Sequence, residues 1–220
     1  MRLLLLGLFV LGCNSDQSLI SDPSGTLGWI QDTPSSIVFI LDSSCSMNDD
    51  IDHITYGLIK SVETIYENTE NRVAVAGADS TYAQSWADAL PWVELDRDST
   101  EPGWDMMEAM AYIKDESTGG EFGLGAVRDS IEDHPEFFDE KPVFIIASDE
   151  DDQTTDFQPQ ELRQYLPRAA TIIGIVGPET ELEADDSPCR AMHSPNYHSV
   201  IDAWIDVCID RPWNIYDEIQ

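Results

Sequence analysis

Short continuous apolar runs recur along the chain, separated by longer stretches with helical periodicity. The runs occupy residues 37–41, 73–76, 143–147 and 170–176. Each is predominantly apolar and contains valine or isoleucine, so each predicts a buried strand; the run over residues 143–147 is apolar throughout and predicts burial on both faces. Strands of this kind are typical of a parallel sheet that helices cover on both sides.

The stretches between these runs predict amphipathic helices. From about Asn48, apolar side chains follow at helical spacing and form one stripe. The members of the stripe are Ile51, Ile54, Leu58, Val62 and Ile65. Further helices are predicted over residues 106–114, 122–132, 159–166 and 197–204, and a short edge strand over residues 207–209. Alternating strands and helices indicate a doubly wound α/β fold, with a mostly parallel sheet flanked by helices.

Residues 79–104 show no clear period. Their tryptophans and prolines favour a short strand joined by irregular loops. Trp86, Trp92 and Trp104 are expected to pack in the interior, because tryptophan is usually well buried; the alternative is that they line a ligand surface.

The composition adds a strong negative charge. The chain has 220 residues, with 11 lysines and arginines against 43 aspartates and glutamates, and a net charge of −32 at pH 7. Nucleic acid is therefore not an expected partner, because its phosphates are bound by lysine and arginine. The charge fits cation binding, a cationic partner or a salty habitat. Most of the carboxylates, including the acidic run over residues 149–156, are expected to be solvated.

The start of the chain predicts export. Arg2 gives a short positive region, and residues 3–12 form an apolar run that is too short to span a bilayer. The run ends in Val10-Leu11-Gly12-Cys13, which resembles the lipobox of bacterial lipoproteins. This resemblance implies a signal peptide over residues 1–12, cleavage before Cys13 and lipidation of the Cys13 thiol.

Lipidation of Cys13 implies an address in the bacterial cell envelope. Acyl chains on this residue would anchor the protein to a membrane without a transmembrane helix. Asn14 does not resemble the usual signal for inner-membrane retention, so the outer membrane or cell surface is favoured. Residues 13–34 are rich in Ser, Asp, Gly and Pro and form the expected tether, and residues 35–220 form the expected domain.

Export also bears on the other three cysteines. Cys189 and Cys208 flank a late segment and are predicted to form a disulfide, since exported domains meet an oxidising environment. Cys45 lies between two candidate metal ligands, where a disulfide would distort the loop, and is expected to be a buried free thiol.

Oxygen-bearing side chains follow two of the predicted strands. Asp42, Ser44 and Ser46 come after the first strand, and Asp149 follows the strand over residues 143–147. Ligands of open α/β sheets bind beyond the carboxyl ends of the strands. If the two strands are neighbours, these hydroxyls and carboxylates converge and suit a hard cation. The alternative is a strand-to-helix turn in which Asp and Ser only bond backbone amides.

The pattern Asp42-x-Ser44-x-Ser46 resembles the first loop of the metal-ion-dependent adhesion site, or MIDAS, of von Willebrand factor A (vWA) domains. Asp149 matches the third loop, and the resemblance covers roughly residues 36–176. It implies a divalent cation, Mg²⁺ first with Mn²⁺ and Ca²⁺ as alternatives, and a recognition face formed by these loops. In the second loop the chain departs from the family, because Glu121 stands where a threonine is expected after a glycine pair.

Two interpretations of Glu121 are open at the level of sequence. As a ligand, it would add a third carboxylate to the site, which would strengthen metal binding and weaken the attraction of an acidic partner. As a helix cap, it would lie at the start of the following helix, where the helix dipole favours an acid.

The function expected from these features is cation-dependent recognition of an unidentified protein or surface ligand by a lipid-anchored vWA-like domain. No catalytic residue is assigned, and an enzyme is not expected. The chief alternative is a metal-dependent hydrolase that uses the same cation to activate water, but no general base such as a histidine converges on the site. A third alternative is a structural envelope protein whose metal only stiffens the fold.

Overall fold

The computed structural model describes residues 35–80, 90–117, 119–139, 141–177, 179 and 193–206. The predicted signal peptide over residues 1–12, Cys13 and the tether over residues 13–34 lie outside this part of the chain. So do Cys189 and Cys208, the predicted disulfide pair. Of the helices within the described ranges, none combines the length and the apolar character that crossing a membrane requires.

Within the described residues, six strands form one sheet. They are β1 (Ser36–Leu41), β2 (Arg72–Gly77), β3 (Trp92–Glu94), β4 (Val143–Ala147), β5 (Thr171–Val176) and β6 (Ala203–Asp206). Their order across the sheet is β3-β2-β1-β4-β5-β6. β3 runs antiparallel to β2, whereas the other four neighbouring pairs are parallel. This arrangement confirms the predicted doubly wound α/β class.

Helices cover both faces of the sheet. In the described part of the chain they are α1 (Asn48–Asn68), α2 (Pro102–Glu116), α3 (Gly123–Asp133) and α4 (Pro195–His198). Successive side chains of β1 enter different cores: Ile37, Phe39 and Leu41 pack with α1 and α2, whereas Val38 and Ile40 pack with α3 and α4. These five side chains are buried, which explains why the strand is apolar at successive positions.

The pairing of β1 with β4 brings two polar loops together. Leu41 is opposite Ala147 in the parallel ladder, so Asp42 and Ser148 are the next residues at the same edge of the sheet. The ladder is extended by the backbone N–H of Asp42, which donates to the carbonyl of Ala147 at 2.9 Å. The chain leaves β1 for β2 on one side, and β4 lies on the other, so the crevice between β1 and β4 is a topological switch point.

Two predicted helices differ from the structure. Residues 159–166 form a shorter 3₁₀ helix, Pro159–Gln164. The prediction of a helix over residues 197–204 is wrong, because α4 ends at His198 and Ala203 begins β6. Apolar residues in this segment have helical spacing, but the free edge of β5 captures the backbone: Asp202 N–H donates to the carbonyl of Ile172 at 2.8 Å. The predicted strand over residues 207–209 lies outside the described residues.

The expected burial of the tryptophans is wrong for Trp104. This side chain lies on α2 and is 54% exposed. Trp92 is half-buried and stacks on His134, with 4.3 Å between the ring centroids. Trp86 lies outside the described residues.

Candidate metal centre

The loop after β1 is organised by the carboxylate of Asp42. This side chain is fully buried, and its Oδ1 accepts a hydrogen bond from the backbone N–H of Ser44 at 2.7 Å. The bond bends the chain so that the hydroxyls of Ser44 and Ser46 face each other, with 2.8 Å between their oxygens. Aspartate therefore does bond a backbone amide here, and the same turn also gathers two hydroxyls.

Side-chain hydrogen bonds join this loop to the loop after β4. The hydroxyl of Ser46 donates to Asp149 Oδ1 at 3.2 Å. The hydroxyl of Ser148 donates to Asp42 Oδ2 at 2.8 Å. Asp42, Ser44, Ser46 and Asp149, which the sequence places 107 residues apart at the extremes, thus form one connected group at the switch point.

Glu121 lies beside this group. The backbone N–H of Gln153 donates to the carbonyl of Glu121 at 2.8 Å, and the amide side chain of Gln153 donates to the Glu121 carboxylate. The carboxyl of Glu121 also shares a hydrogen bond with Glu150 and lies within electrostatic reach of Asp42 and Asp149. All five predicted site residues are therefore at one end of the sheet.

The first turn of α3 is capped by other side chains. Asp152 Oδ1 accepts from the backbone N–H of Leu124 at 2.8 Å, and Thr154 Oγ1 accepts from Gly125 at 3.0 Å. Asp152 and Thr154, rather than Glu121, therefore accept the hydrogen bonds of the first N–H groups of α3. The Glu121 carboxylate instead faces the loop after β4, where it accepts the hydrogen bond from the Gln153 side chain.

Burial and mutual repulsion raise the pKa values of the carboxyls in this group. Burial raises the pKa of Asp42, although hydrogen bonds from Ser44 and Ser148 oppose the shift. Burial and then the charge of Asp42 raise the pKa of Asp149 to about 6. Burial, the shared hydrogen bond with Glu150 and the nearby aspartates raise the pKa of Glu121 to about 8. The protein groups around these carboxyls therefore stabilise their negative charge poorly, and a bound cation would stabilise it.

The acidic run over residues 149–156, predicted to be a solvated loop around the site, is solvated in part: Asp152 is buried, and the other acids of the run are half-buried or exposed. Asp151 accepts a hydrogen bond from the backbone N–H of Asn196 at 3.0 Å, which holds the start of α4. Asp152 caps α3. Asp156 forms an ion pair with Arg128, which is only 5% exposed. The run thus contacts α3, α4 and the buried Arg128 beside the site.

Three residues near the site were missed by the sequence prediction: Ser148, Glu150 and Asp79. Asp79 is buried after β2, and its Oδ2 accepts from the hydroxyl of Ser117 at 2.5 Å, while Oδ1 accepts from the backbone N–H of Gly120 at 3.3 Å. It therefore holds the loop that leads to Glu121. The rule that identified Asp42 and Asp149, an acid just beyond an apolar strand, would also have found Asp79.

The donor set suits a hard divalent cation. Mg²⁺ prefers oxygen ligands at 2.0–2.1 Å in an octahedron, so oxygens at adjacent positions lie roughly 3.0 Å apart. The oxygen separations of 2.8 Å between Ser44 and Ser46 and of 3.2 Å between Ser46 and Asp149 are close to that value. Within the described residues, no three His, Cys, Asp or Glu side chains are grouped to hold a metal by themselves. The candidate centre is thus a mixed one of hydroxyls and carboxylates.

Comparison with known proteins identifies the fold. No protein-family model and no curated protein matches the sequence. A crystal structure of proximal thread matrix protein 1 (PTMP1) from the mussel byssus aligns over 86% of this chain with 14% identity and a TM-score of 0.51. The alignment covers 45% of PTMP1, so this chain spans about half the length of that protein. This likeness shows the fold alone, which is vWA-like.

Two further structures align less closely. A structure of PTMP1 with a zinc-occupied MIDAS motif matches 84% of this chain and 44% of that protein, with 14% identity and a TM-score of 0.43. The pilus adhesin SpaC from Lactobacillus rhamnosus GG matches 54% of this chain and 15% of that protein, with 15% identity and a TM-score of 0.36.

Proposed function

We propose that this protein is a lipid-anchored binding domain of the bacterial cell envelope, which coordinates a divalent cation and recognises a protein or surface ligand at the same face. The observation that carries the proposal is the hydrogen-bonded group of Asp42, Ser44, Ser46 and Asp149 across the switch point. Four oxygen-bearing side chains from two loops meet there, at the end of the sheet where α/β folds bind ligands.

Each of these residues has a distinct role in the proposal. Ser44 and Ser46 supply neutral hydroxyl ligands, and Asp42 and Asp149 supply charge, either directly or through water. The cation, with Mg²⁺ as first choice and Mn²⁺ or Ca²⁺ as alternatives, would supply positive charge that can attract an oxygen anion of the partner. Ser46 is exposed, so a partner can approach the group from its side.

Glu121 sets how strongly the cation attracts that partner. Asp42, Asp149 and Glu121 are not grouped closely enough to hold a metal by themselves, but the charge of Glu121 lies within electrostatic reach of the two aspartates and would act on an ion bound there. The remaining attraction for a further carboxylate is then smaller than in a site with threonine at this position. We therefore propose tight metal binding together with modest affinity for acidic partners.

Localisation rests on the first residues of the chain. Lipid on Cys13 would anchor the protein, and residues 13–34 would let the domain reach away from the membrane. Labelling the cells with a radioactive fatty acid, with a Cys13→Ser variant as control, tests this part. Unchanged labelling of the Cys13→Ser variant would exclude lipidation at this residue.

Thermal unfolding during metal titration tests the centre itself. Metal at about 100 times its dissociation constant should raise the free energy of unfolding by about 2.7 kcal/mol. Ser46→Ala and Asp149→Asn should lose most of this gain, whereas Thr100→Ala, at an exposed residue outside the metal-centre loops, should keep it. Equal stabilisation of all four proteins would overturn the proposed centre.

A phosphoesterase panel with and without Mg²⁺ separates binding from catalysis. Metal-dependent turnover that Asp42→Asn abolishes would replace recognition by hydrolysis. If metal binds and no turnover occurs, pull-down from envelope extracts should recover a partner that Ser46→Ala fails to recover. Equal recovery by the variant would leave the metal with a stiffening role only.

A further inference from the structure

A groove lies away from the metal centre, between α1 and the start of α2. Its volume is about 820 Å³, and its walls are formed by α1, the segment over residues 97–101 and the first turns of α2. Ligand pockets usually measure about 300–1,000 Å³. The groove shares no residue with the metal-centre loops.

The α2 wall of the groove is apolar and exposed. Trp104 is 54% exposed and Met107, one turn later, is 38% exposed, and both line the groove. Tryptophan is usually well buried. An exposed indole beside a groove therefore offers a flat face of π electrons to a ligand.

The floor of the groove is tightly packed. A Cβ atom on Gly103 would lie 2.7 Å from Glu63 Oε1 and 2.9 Å from Ile59 Cγ2. Glycine at this position therefore lets the start of α2 lie directly on α1. Close packing of two helices below the groove gives it a fixed floor.

The charged side chains that line the groove without forming an ion pair within the described residues are acidic. Its one arginine among the described lining residues, Arg97, pairs with Glu70 at 3.2 Å, donates to the carbonyls of Thr69 and Asn71, and lies over the ring of Tyr66. By contrast, Glu67 and Glu101 line the groove and take part in none of the ion pairs formed by the described residues. Carboxylates beside an indole are the combination that recognises an organic cation.

We infer that this groove binds a lysine- or arginine-rich peptide segment of a partner protein. One cationic side chain lies over the Trp104 ring, and Glu67 and Glu101 pair with cations on the same segment. Charge complementarity selects this occupant, because the whole chain carries a net charge of −32 and the cation of the groove is already paired. The groove acts independently of the metal centre.

Fluorescence anisotropy of a labelled oligolysine peptide tests the inference, in EDTA at about 0.15 M salt to screen long-range attraction. Trp104→Ala should weaken binding about three- to tenfold. Tyr165→Ala, at an exposed aromatic residue on another part of the surface, should leave binding within twofold.

Two double variants that remove the same charge distinguish binding in the groove from general electrostatic attraction to an acidic protein. The double variant Glu67→Gln/Glu101→Gln should weaken binding at least fivefold, whereas Glu132→Gln/Asp133→Asn, which removes the same charge from exposed positions of α3, should change it less than twofold. Equal effects of the two double variants, or no binding by the unmodified protein, would overturn the inference. Ser46→Ala should bind the peptide normally, which keeps this result separate from that of the metal centre.

Discussion

Burial and three neighbouring acids raise the pKa of the Glu121 carboxyl. Glu150 shares a hydrogen bond with it, and Asp42 and Asp149 repel its charge. A cation among these groups would relieve the repulsion, whereas a proton can do so only partly. Glu121, which stands where the resembled vWA loop has a threonine, therefore affects the electrostatics of the neighbouring carboxyls.

Replacing Glu121 by threonine should lower metal affinity about tenfold, because one negative charge leaves the site. It should also raise the affinity of the metal-loaded protein for an oligoglutamate probe. Calorimetric titration measures both. Glu132→Thr, on the exposed end of α3, loses the same charge away from the site and should change neither affinity. A Glu121→Thr variant with unchanged metal affinity would remove Glu121 from the centre.

The carboxyls of Asp149 and Glu121 also predict a dependence on pH. Their pKa values of about 6 and about 8 in the folded, metal-free protein exceed the value of about 4 of an unfolded chain. The folded state then binds more protons between about pH 4 and pH 8, so these groups lower the free energy of unfolding as pH rises through that window.

Denaturant unfolding in EDTA measures this effect as a difference between variants. The stability of Glu121→Gln should fall less steeply with rising pH than that of the unmodified protein. Metal affinity should rise over the same range, because the ligands must lose their protons to bind. Parallel pH profiles for the two proteins would show that Glu121 does not titrate as described.

The first turn of helix α3 is stabilised by capping side chains from the loop after β4. Asp152 is buried and accepts a hydrogen bond from the backbone N–H of Leu124. Removal of the carboxylate would leave this buried N–H without its acceptor. Asp152→Ala should lower the free energy of unfolding by about 1–3 kcal/mol. Asp152→Asn, which keeps an acceptor, should lose less, and exposed Thr155→Ala should lose almost nothing. Denaturant melts measure the three.

The close approach of α3 to the end of β2 gives a second prediction for this element. A Cβ atom on Gly125 would lie 2.7 Å from the Cβ of Ser80, whose hydroxyl donates to Asp129 at 2.9 Å. Alanine favours helices, but overpacking usually costs about 1–3 kcal/mol. Gly125→Ala should therefore destabilise the protein, and a gain in melting temperature would show that the neighbours yield freely. Glu132→Ala, in the exposed last turn, serves as the control for helix propensity.

The net charge of −32 dominates electrostatics at the scale of the whole molecule. Self-repulsion weakens when salt shortens the range of charge interactions. Raising NaCl from about 0.05 to about 0.5 M should raise the melting temperature of the unmodified protein and of Ser46→Ala by the same amount. At matched ionic strength, Mg²⁺ should add a further rise only in the unmodified protein. An identical Mg²⁺ response in both would indicate screening rather than a site.

The sequence determined the class of the fold and the centre of the sheet. Strands buried on both faces need apolar residues at every position, and such runs are visible without a structure, as in residues 37–41 and 143–147. The same local pattern placed Asp42 and Asp149 just beyond strand ends. The sequence could not exclude a helix over residues 197–204, because its apolar spacing suits a helix as well as it suits a strand at the edge of β5.

Only the tertiary structure decided which polar groups meet. β1 and β4 are neighbours in the sheet. Local periodicity does not determine this strand order, because the order depends on packing between distant parts of the chain. That order brings Asp42 to Ser148 and Ser46 to Asp149, and it lets Asp152 rather than Glu121 cap α3. The packing of α2 decided the exposure of Trp104: the helix buries the face that carries Gly103 and Met106, and Trp104 lies on the other face beside the groove.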